Sequence, residues 1–428
     1  MTFTTDGYKG PHYSAQMRSD DLTLVKDTRT VKCESLPRLL YFADVPVEQY
    51  MHGSTLLYRL LSTYPKEKLI IIEGSGASIP DRRISGVPYS RCKPMLSRLS
   101  RTRFRYYVSP FITLCSPLQR TYLTRLLRSF QPEAVMTVIW GHSWVTAAAY
   151  AERAGLPLHL IVHDDSPNAE GWGAFEQRVI HARLSHWYPK AASRLCVSPY
   201  TAEEYRRRYN AMGDVLYPSR ATDAPVFMEP PDTLTQRCEP FTVAFAGTIY
   251  PLYVDGLRRM AAALRVTCAG RLLVYGPRPS ESVRFVLQEP NIELRDRVSA
   301  ADLIRQCRRE AHAMFVPMSY LEEHRPNMEI AFPSKLADYT AMGLPLVIDG
   351  PEYCSAVRWA RENPGVAEVA TDRTTDALAD SVARLQDPAH RLRLAKAAIH
   401  RGAQYFAPER AISTLYSELR NASFNPYE

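Results

Sequence analysis

The sequence has no long uninterrupted apolar run. No apolar stretch in its 428 residues approaches the length of a membrane-spanning helix, which needs roughly 18 to 20 consecutive apolar residues. The N-terminal residues also lack the apolar core of a secretory signal peptide. Low-complexity tracts are absent too, so we expect a folded cytoplasmic protein.

Clustered cysteines are missing as well. The eight cysteines are scattered between Cys33 and Cys354, without a C-x-x-C pair and without a histidine at short spacing. Zinc sites and disulfide frameworks normally need such clusters, so we expect reduced thiols.

What the chain has instead is an alternation of short apolar runs and helical patterns. The runs typical of buried strands are Leu39–Val45, Leu69–Ile72, Val135–Ile139, Leu158–Val162, Arg194–Val197, Phe241–Ala246, Leu272–Tyr275, Ala313–Val316 and Leu344–Ile348. Strands separated by helices predict parallel doubly wound sheets. The chain is long enough for two domains, and the proline-containing segment 221–240 is the best candidate for a linker between them.

The whole chain has a formal net charge of +8. Its positive charge is concentrated in one part of the sequence. The arginines concerned are Arg98, Arg101, Arg103, Arg105, Arg120, Arg125 and Arg128. The last three lie beside Leu123, Leu126 and Leu127, and basic residues next to an apolar stripe fit the anionic inner face of a membrane. A solvated helix face is the alternative. Only the run RTRFRYY resembles a nucleic-acid-binding pattern, so we expect no nucleic-acid partner.

The stretch Phe332–Ile348, FPSKLADYTAMGLPLVI, carries the most chemistry. Its pattern predicts a helix that begins near Ser334, as a capping residue, and ends at Gly343. The N-terminus of a helix attracts anions, and Lys335 adds a positive charge there. Asp338 projects from a neighbouring part of the same face. A cation beside a carboxylate suits a ribose diphosphate, and a solvated Lys-Asp pair is the alternative.

The run PSKLADYTAMGLPLV resembles the donor-site helix of glycosyltransferases with the GT-B architecture, close to family 4. The resemblance implies an α/β chain with two Rossmann-like doubly wound domains that face a central cleft. It assigns donor binding to Ser334 and Lys335, and ribose binding to Asp338. Family 4 usually has a further acid eight positions before that one, where this chain has Ile330. The adjacent Glu329 is the candidate for its catalytic role.

The resemblance also implies domain boundaries. Residues 1–35 form an N-terminal lead-in, residues 36–220 an acceptor-binding Rossmann-like domain, and residues 221–406 a donor-binding Rossmann-like domain. The final segment, residues 407–428, is expected to cross back and pack on the first domain.

Glycines at the ends of predicted strands are further candidates for donor binding. Gly247 and Thr248 follow one strand, Gly276 follows the next, and bare backbone at such turns can approach a phosphate. Gly53 precedes the first predicted helix and resembles the family's glycine-rich phosphate loop. Ordinary chain connections are the alternative at these turns.

The family's basic residue after the second-half glycine turn is missing from GTIYPLYVDG. The positive charge opposite the diphosphate must then come from elsewhere. We expect Lys335 to supply it, together with Arg278 or Arg325.

His163 is the residue to which the resemblance assigns chemistry. It follows a predicted strand in IVHDDSP, where the family has a histidine near the transferred sugar, and it can donate a hydrogen bond to a sugar hydroxyl or the departing phosphate. Asp164, Asp165 and His142 are the candidates on the acceptor side. A buried structural histidine and a metal site at the two aspartates are the alternatives.

The expected function is transfer of a hexosyl group from a nucleotide-diphosphate sugar to a glycan, lipid-linked or small-molecule acceptor. Similar family 4 enzymes retain the anomeric configuration. The chain has no Asp-x-Asp triplet with strand context for a metal, so we expect a metal-independent, retaining reaction without a cofactor. A nucleotide-sugar epimerase of the same fold and a non-catalytic basic module that binds membrane or nucleic acid are the alternatives.

Overall fold

Two parallel β-sheets organise the chain, and helices pack against them. The structure is a computed structural model and describes residues 35–49, 52–96, 105–168, 173–235 and 240–421. Of the predicted lead-in at residues 1–35 only Ser35 is among them, so that prediction lies outside the described residues.

The first sheet is built from the first half of the chain. Its strands are β1 (Leu39–Ala43), β2 (Leu69–Glu73), β3 (Tyr89–Arg91), β4 (Ala134–Val138), β5 (Leu158–Val162), β6 (Ser193–Cys196) and β7 (Asp214–Val215). They are all parallel and lie in the order β3-β2-β1-β4-β5-β6-β7. The helices of this half are α1 (His52–Leu61), α2 (Arg105–Cys115), α3 (Arg120–Leu126), α4 (Ser143–Ala154), α5 (Ala174–Trp187) and α6 (Pro199–Tyr209).

The second sheet repeats this arrangement. Its strands are β8 (Thr242–Ala246), β9 (Arg271–Gly276), β10 (Ile292–Asp296), β11 (Ala313–Pro317), β12 (Leu346–Asp349) and β13 (Ala367–Ala370), parallel in the order β10-β9-β8-β11-β12-β13. The helices are α7 (Pro251–Cys268), α8 (Glu281–Val286), α9 (Ala300–Glu310), α10 (Arg325–Ile330), α11 (Lys335–Ala341), α12 (Ser355–Glu362), α13 (Thr375–Arg384), α14 (Pro388–Phe406) and α15 (Pro408–Asn421).

The central strands form parallel sheets because both of their faces are apolar. β1 is buried at every position. Leu40 and Phe42 pack in one apolar cluster, whereas Leu39 and Tyr41 pack in another, so helices cover the two sides of the same strand. The predicted fold class, two Rossmann-like parallel sheets with helices, is confirmed.

Each sheet has one switch point, where the order of strands reverses. The chain adds β2 and β3 on one side of β1 and then returns to place β4 on the other side, and β8 to β11 do the same. Ligands of such sheets bind beyond the carboxyl ends of the strands at the switch point. The residues that follow β1, β4, β8 and β11 are therefore in position to form a site, and those that follow β5 and β9 lie beside them.

The end of the chain returns to the first sheet. α14 belongs to the second half, whereas α15 places Leu415, Tyr416 and Leu419 in the apolar cluster around β1 and β2. The Tyr416 hydroxyl lies 2.9 Å from the Thr63 hydroxyl just after α1. The chain thus crosses between the halves twice.

Two consecutive helices, α13 and α14, follow the last strand of the second sheet. α13 and α14 are separated at Asp387, whose carboxylate accepts hydrogen bonds from the backbone N–H groups of Ala389 and His390. Pro388 occupies the first turn of α14. A capping aspartate followed by proline starts a new helix at this point.

The described cysteines carry free thiols, in line with the expectation from their spacing: Cys92, Cys115, Cys196, Cys268, Cys307 and Cys354. Among the helices that the structure describes, none combines the length and the apolar character needed to cross a bilayer.

Candidate active site

A cavity of about 450 Å³ opens between the carboxyl ends of the two sheets. Both halves of the chain contribute to its wall. Nine of the residues predicted from the sequence line it: Gly53, His163, Asp164, Gly247, Thr248, Gly276, Ser334, Lys335 and Asp338.

Lys335 is the first residue of α11, and its ammonium group is surrounded by aromatic rings. Nζ lies 4.1 Å from the centre of the Tyr253 ring and 4.9 Å from that of Phe245. No carboxylate of the described residues forms a salt bridge with it. Burial lowers the pKa of Lys335 to about 7. The ring faces partly stabilise the ammonium, and its charge remains available for an anion.

Gly247 allows the stem of Lys335 to lie against the end of β8. Its φ of +138° is in the region that favours glycine, and a Cβ at this position would lie 2.8 Å from Lys335 Cε. Gly276 is equally constrained, because its Cβ would lie 2.3 Å from the Gly247 carbonyl oxygen. The Tyr339 hydroxyl accepts from the N–H of Ala246 and donates to its carbonyl, which fixes α11 against β8.

Gly247→Ala is expected to weaken nucleoside diphosphate binding about tenfold, because backbone strain and the displaced lysine each disturb this corner. Calorimetric titration of the variant measures it. Gly155→Ala is the matched control, since Gly155 has a φ of +64° but nothing within 4 Å of a built Cβ. It should lose stability without losing affinity. An equal loss of affinity in both variants would contradict the role given to the contact with Lys335.

Asp338 joins the two halves of the chain through an arginine. Its Oδ2 accepts a hydrogen bond of 3.1 Å from Nη2 of Arg59, a residue of α1. Nη1 of Arg59 donates to the Ser219 carbonyl oxygen at 2.5 Å. Oδ1 of Asp338 is buried and has no partner among the described residues. The carboxylate is therefore oriented through one oxygen, and the other retains its capacity to accept a hydrogen bond.

His163 and Asp164 follow β5 and form the first-half side of the cavity. Burial lowers the pKa of His163 to about 4, so its imidazole is neutral at pH 7. Nε2 is buried without a partner among the described residues. Gly53 is a neighbour of this side chain, and a Cβ built on it would be in ordinary van der Waals contact with His163 Nδ1 at 3.5 Å. Burial, with a smaller contribution from Asp165, raises the pKa of Asp164 to about 6.

Two of the predicted acceptor-side residues are engaged elsewhere. Asp165 is buried, and its two carboxylate oxygens accept from Nη1 and Nη2 of Arg208 at 2.6 and 3.0 Å. His142 lies beneath α2, with Nδ1 at 2.8 Å from the Thr113 hydroxyl and Nε2 at 3.3 Å from that of Ser109. Neither side chain lines the cavity.

Glu329 and Arg278 are also not brought to the cavity. Glu329 lies on α10, where its Oε1 accepts from Nε of Arg325 one turn away at 2.8 Å. Arg278 is exposed beyond the end of β9 and lines a smaller cavity of about 170 Å³. Ser334 lines the main cavity and is the N-cap residue of α11, as predicted, but its side chain forms no capping hydrogen bond.

Comparisons of the sequence and of the structure with known proteins indicate one architecture. A family model described as Glycosyltransferase Family 4 matches residues 82–217. No curated protein matches the sequence. HepE of Anabaena in complex with UDP and glucose superposes with a TM-score of 0.63 at 11% identity, covering 90% of this chain and 99% of that one. The chain has the GT-B glycosyltransferase fold.

Other solved structures with the GT-B fold match over the same extent. Sucrose-phosphate synthase of Thermosynechococcus elongatus has a TM-score of 0.63 at 14% identity, with 90% of this chain and 99% of that one covered. The trehalose-phosphate synthase of Burkholderia vietnamiensis has 0.58 at 12%, with 90% and 100% covered. The predicted resemblance is thereby confirmed. The stretch Phe332–Ile348 lies outside the residues that the family model matches.

Sequence reasoning missed several residues of the GT-B cleft: Arg59, Tyr250, Tyr253, Arg297 and Asn327. Tyr253 had a visible signal, because it stands in GTIYPLYVDG where a basic residue was expected. An aromatic residue there supports a cation that comes from another element. Arg59 had no local signal, since its partner Asp338 is 279 positions away.

The described residues contain no group of three or more His, Cys, Asp or Glu side chains that could hold a metal ion. In the Asp164–Asp165 pair, both carboxylate oxygens of Asp165 accept hydrogen bonds from Arg208.

Proposed function

We propose that this GT-B protein transfers a hexosyl group from a nucleotide-diphosphate sugar to an acceptor bound on the first-half side of the cleft. The observation that carries the proposal is the pairing of Lys335 with Asp338 on one helix at the cavity wall. A solved neighbour, HepE, is in complex with UDP and with UDP-glucose. A cavity of about 450 Å³ is also of the size that small-molecule sites usually have.

Lys335 neutralises the diphosphate in this proposal. The phosphate oxygens accept from its ammonium group, while backbone at Gly247 and Thr248 borders the same corner. Charge that develops on the leaving diphosphate is then stabilised in the transition state. Asp338 accepts hydrogen bonds from the ribose hydroxyls. Its Oδ1 can do so because it has no hydrogen-bond partner among the described residues.

His163 acts on the transferred sugar. As a neutral imidazole it has one donor and one acceptor nitrogen, and the buried Nε2 needs a partner. A sugar hydroxyl or a phosphate oxygen would satisfy it. Its role is to orient the sugar rather than to carry charge, because burial lowers its pKa to about 4.

Asp164 is the acceptor-side candidate that lines the cavity. Its raised pKa of about 6 makes it a better proton acceptor than an ordinary aspartate. Retention of configuration and independence of metal are the finer parts of the proposal, and they rest on the resemblance to family 4. The anomeric form of the product and turnover in the presence of a chelator test them.

Thermal-shift measurements with nucleoside diphosphates and their sugars test the proposal. We expect UDP to raise the melting temperature, and UDP-glucose to release UDP when a suitable acceptor is present. The free bases and nucleosides, which lack the diphosphate, are the matched controls. Stabilisation by none of the nucleoside diphosphates would overturn the proposal. Conversion of the donor sugar into its epimer without an acceptor would favour the epimerase.

A further inference from the structure

The outer surface of α2, α3 and the turn between them exposes five large apolar side chains. Tyr107, Phe111, Leu114, Leu118 and Tyr122 form what we call the α2–α3 face, and each of them is between 39% and 75% exposed. The first three share one side of α2, because they are separated by four and three positions. Clusters of exposed apolar residues on a folded chain usually mark a surface that binds something.

The α2–α3 face differs from the apolar stripe predicted from the sequence. Leu123 and Leu127 are buried in the core of the first half, and Leu126 is packed against it. The predicted stripe therefore holds α3 in place, and the outward-facing residues are a separate set. Arg98, Arg101 and Arg103 of the predicted basic segment lie outside the described residues.

The charge around this face has one sign. Residues 105–132, which span α2 and α3, contain four arginines and no lysine, aspartate or glutamate. Arg125 and Arg128 are exposed on and just after α3. Arg183 of α5 reaches the same area, where its guanidinium donates to the Leu114 carbonyl oxygen. The apolar side chains are thus bordered by cations.

We propose that the α2–α3 face docks on an anionic lipid bilayer. Exposed leucine, phenylalanine and tyrosine side chains insert at the level of the headgroups, and the surrounding arginines contact lipid phosphates. A second copy of the chain fits less well, because a two-fold interface would bring these uncompensated cations together.

If the α2–α3 face docks on a bilayer, the acceptor belongs to the lipid-linked class. This conclusion rests on the proposed function. The inner side of α2 contributes Ser109 and Thr113, which contact His142 at the end of β4. Ser109 also donates to the buried Glu176 at 2.6 Å. One helix, about 10 Å thick with its side chains, therefore separates the bilayer from the carboxyl edge of the first sheet. An acceptor carried by a lipid would meet the cleft from this side.

Vesicle cosedimentation of the full chain tests the docking. Wild-type protein should bind vesicles of phosphatidylcholine and phosphatidylglycerol in equal parts, and not vesicles of phosphatidylcholine alone. Phe111→Ser and Leu114→Ser should each reduce this binding about tenfold. Arg125→Ala and Arg128→Ala should each reduce it about fivefold, with the difference vanishing in high salt. Phe285→Ser, at a side chain that is 75% exposed in the second half, is the control and should bind as wild type.

UDP-induced stabilisation of the same variants separates this inference from the proposed function. Vesicle binding needs no donor, so it stands even if UDP does not bind. Equal affinity for the two kinds of vesicle, no affinity for either, or an equal loss in Phe285→Ser would overturn the docking. Concentration-dependent self-association that Phe111→Ser abolishes, or retention on RNA without vesicle binding, would overturn it in favour of those partners.

Discussion

Lys335→Met is expected to weaken UDP binding by about 10- to 100-fold at pH 7, which corresponds to loss of a hydrogen bond to a charged group. Methionine keeps an unbranched apolar stem of similar length, so the contact with Gly247 is preserved and the ammonium group is removed. Titration calorimetry with UDP measures the loss. The effect should be large because the site partly desolvates the charge that the diphosphate meets.

The pH dependence of UDP binding should follow from the same amine. Burial lowers the pKa of Lys335 to about 7, whereas the diphosphate binds the protonated form. Above pH 7 binding must also take up a proton, so affinity is expected to fall as pH rises, by at most about tenfold per unit. Lys335→Arg remains charged throughout this range and should flatten the profile. The ionisation of UDP itself is common to both proteins and cancels.

The stability of the ligand-free protein should change in the opposite direction. An unfolded lysine titrates near 10.4, so from about pH 7 to that value the unfolded chain binds more protons than the folded one. The free energy of unfolding therefore rises with pH across this window, because the cost of the buried ammonium is relieved. Lys335→Met lacks this slope, and its melting temperature at neutral pH should exceed that of the wild type.

Lys190→Met is the control for both measurements, since its side chain is 59% exposed and pairs with Glu152. It should change neither UDP affinity nor the slope of stability with pH. A Lys335→Met protein that binds UDP as tightly as the wild type would show that the diphosphate lies elsewhere.

Most elements that position the site could be predicted from the sequence, because strands buried on both faces are apolar at nearly every residue. β5 was predicted at the residues where the structure has it, and β12 begins two residues later than predicted. β3 was not predicted. It has only three residues, none of them fully buried, so it carries no such pattern.

Some residues of the candidate site could be predicted from local sequence patterns, and others could not because their position depends on contacts with distant residues. Lys335, Gly247 and Gly276 belong to local strand, turn and helix patterns, and these patterns bring them to the cavity. Asp165 was predicted for the site by its position after β5, but Arg208 of α6 takes its carboxylate. Glu329 pairs with a residue of its own helix. A local pattern identifies the end of a strand, and tertiary packing decides which side chains remain available there.

Asp338→Ala is expected to reduce UDP affinity by about 10- to 100-fold, because the ribose hydroxyls lose a charged acceptor. Arg59→Ala should reduce it less, by about three- to tenfold, since Arg59 only holds the carboxylate in place through Oδ2. The decisive measurement is the double variant. If Arg59 acts through Asp338, the double variant binds UDP no worse than Asp338→Ala alone.

The same cycle reports on stability. Arg59 is 12% exposed, so Asp338→Ala leaves a largely buried guanidinium without its carboxylate, and we expect a loss of about 1–3 kcal/mol in the free energy of unfolding. The coupling free energy between Arg59 and Asp338 should exceed that between Arg305 and Asp302, which form an exposed ion pair. Exposed ion pairs of this kind usually contribute about 0.2–1 kcal/mol. Arg59→Lys should restore part of the UDP affinity. Additive effects on both affinity and stability would mean that Arg59 contacts the nucleotide directly, and that Asp338 does not depend on it for orientation.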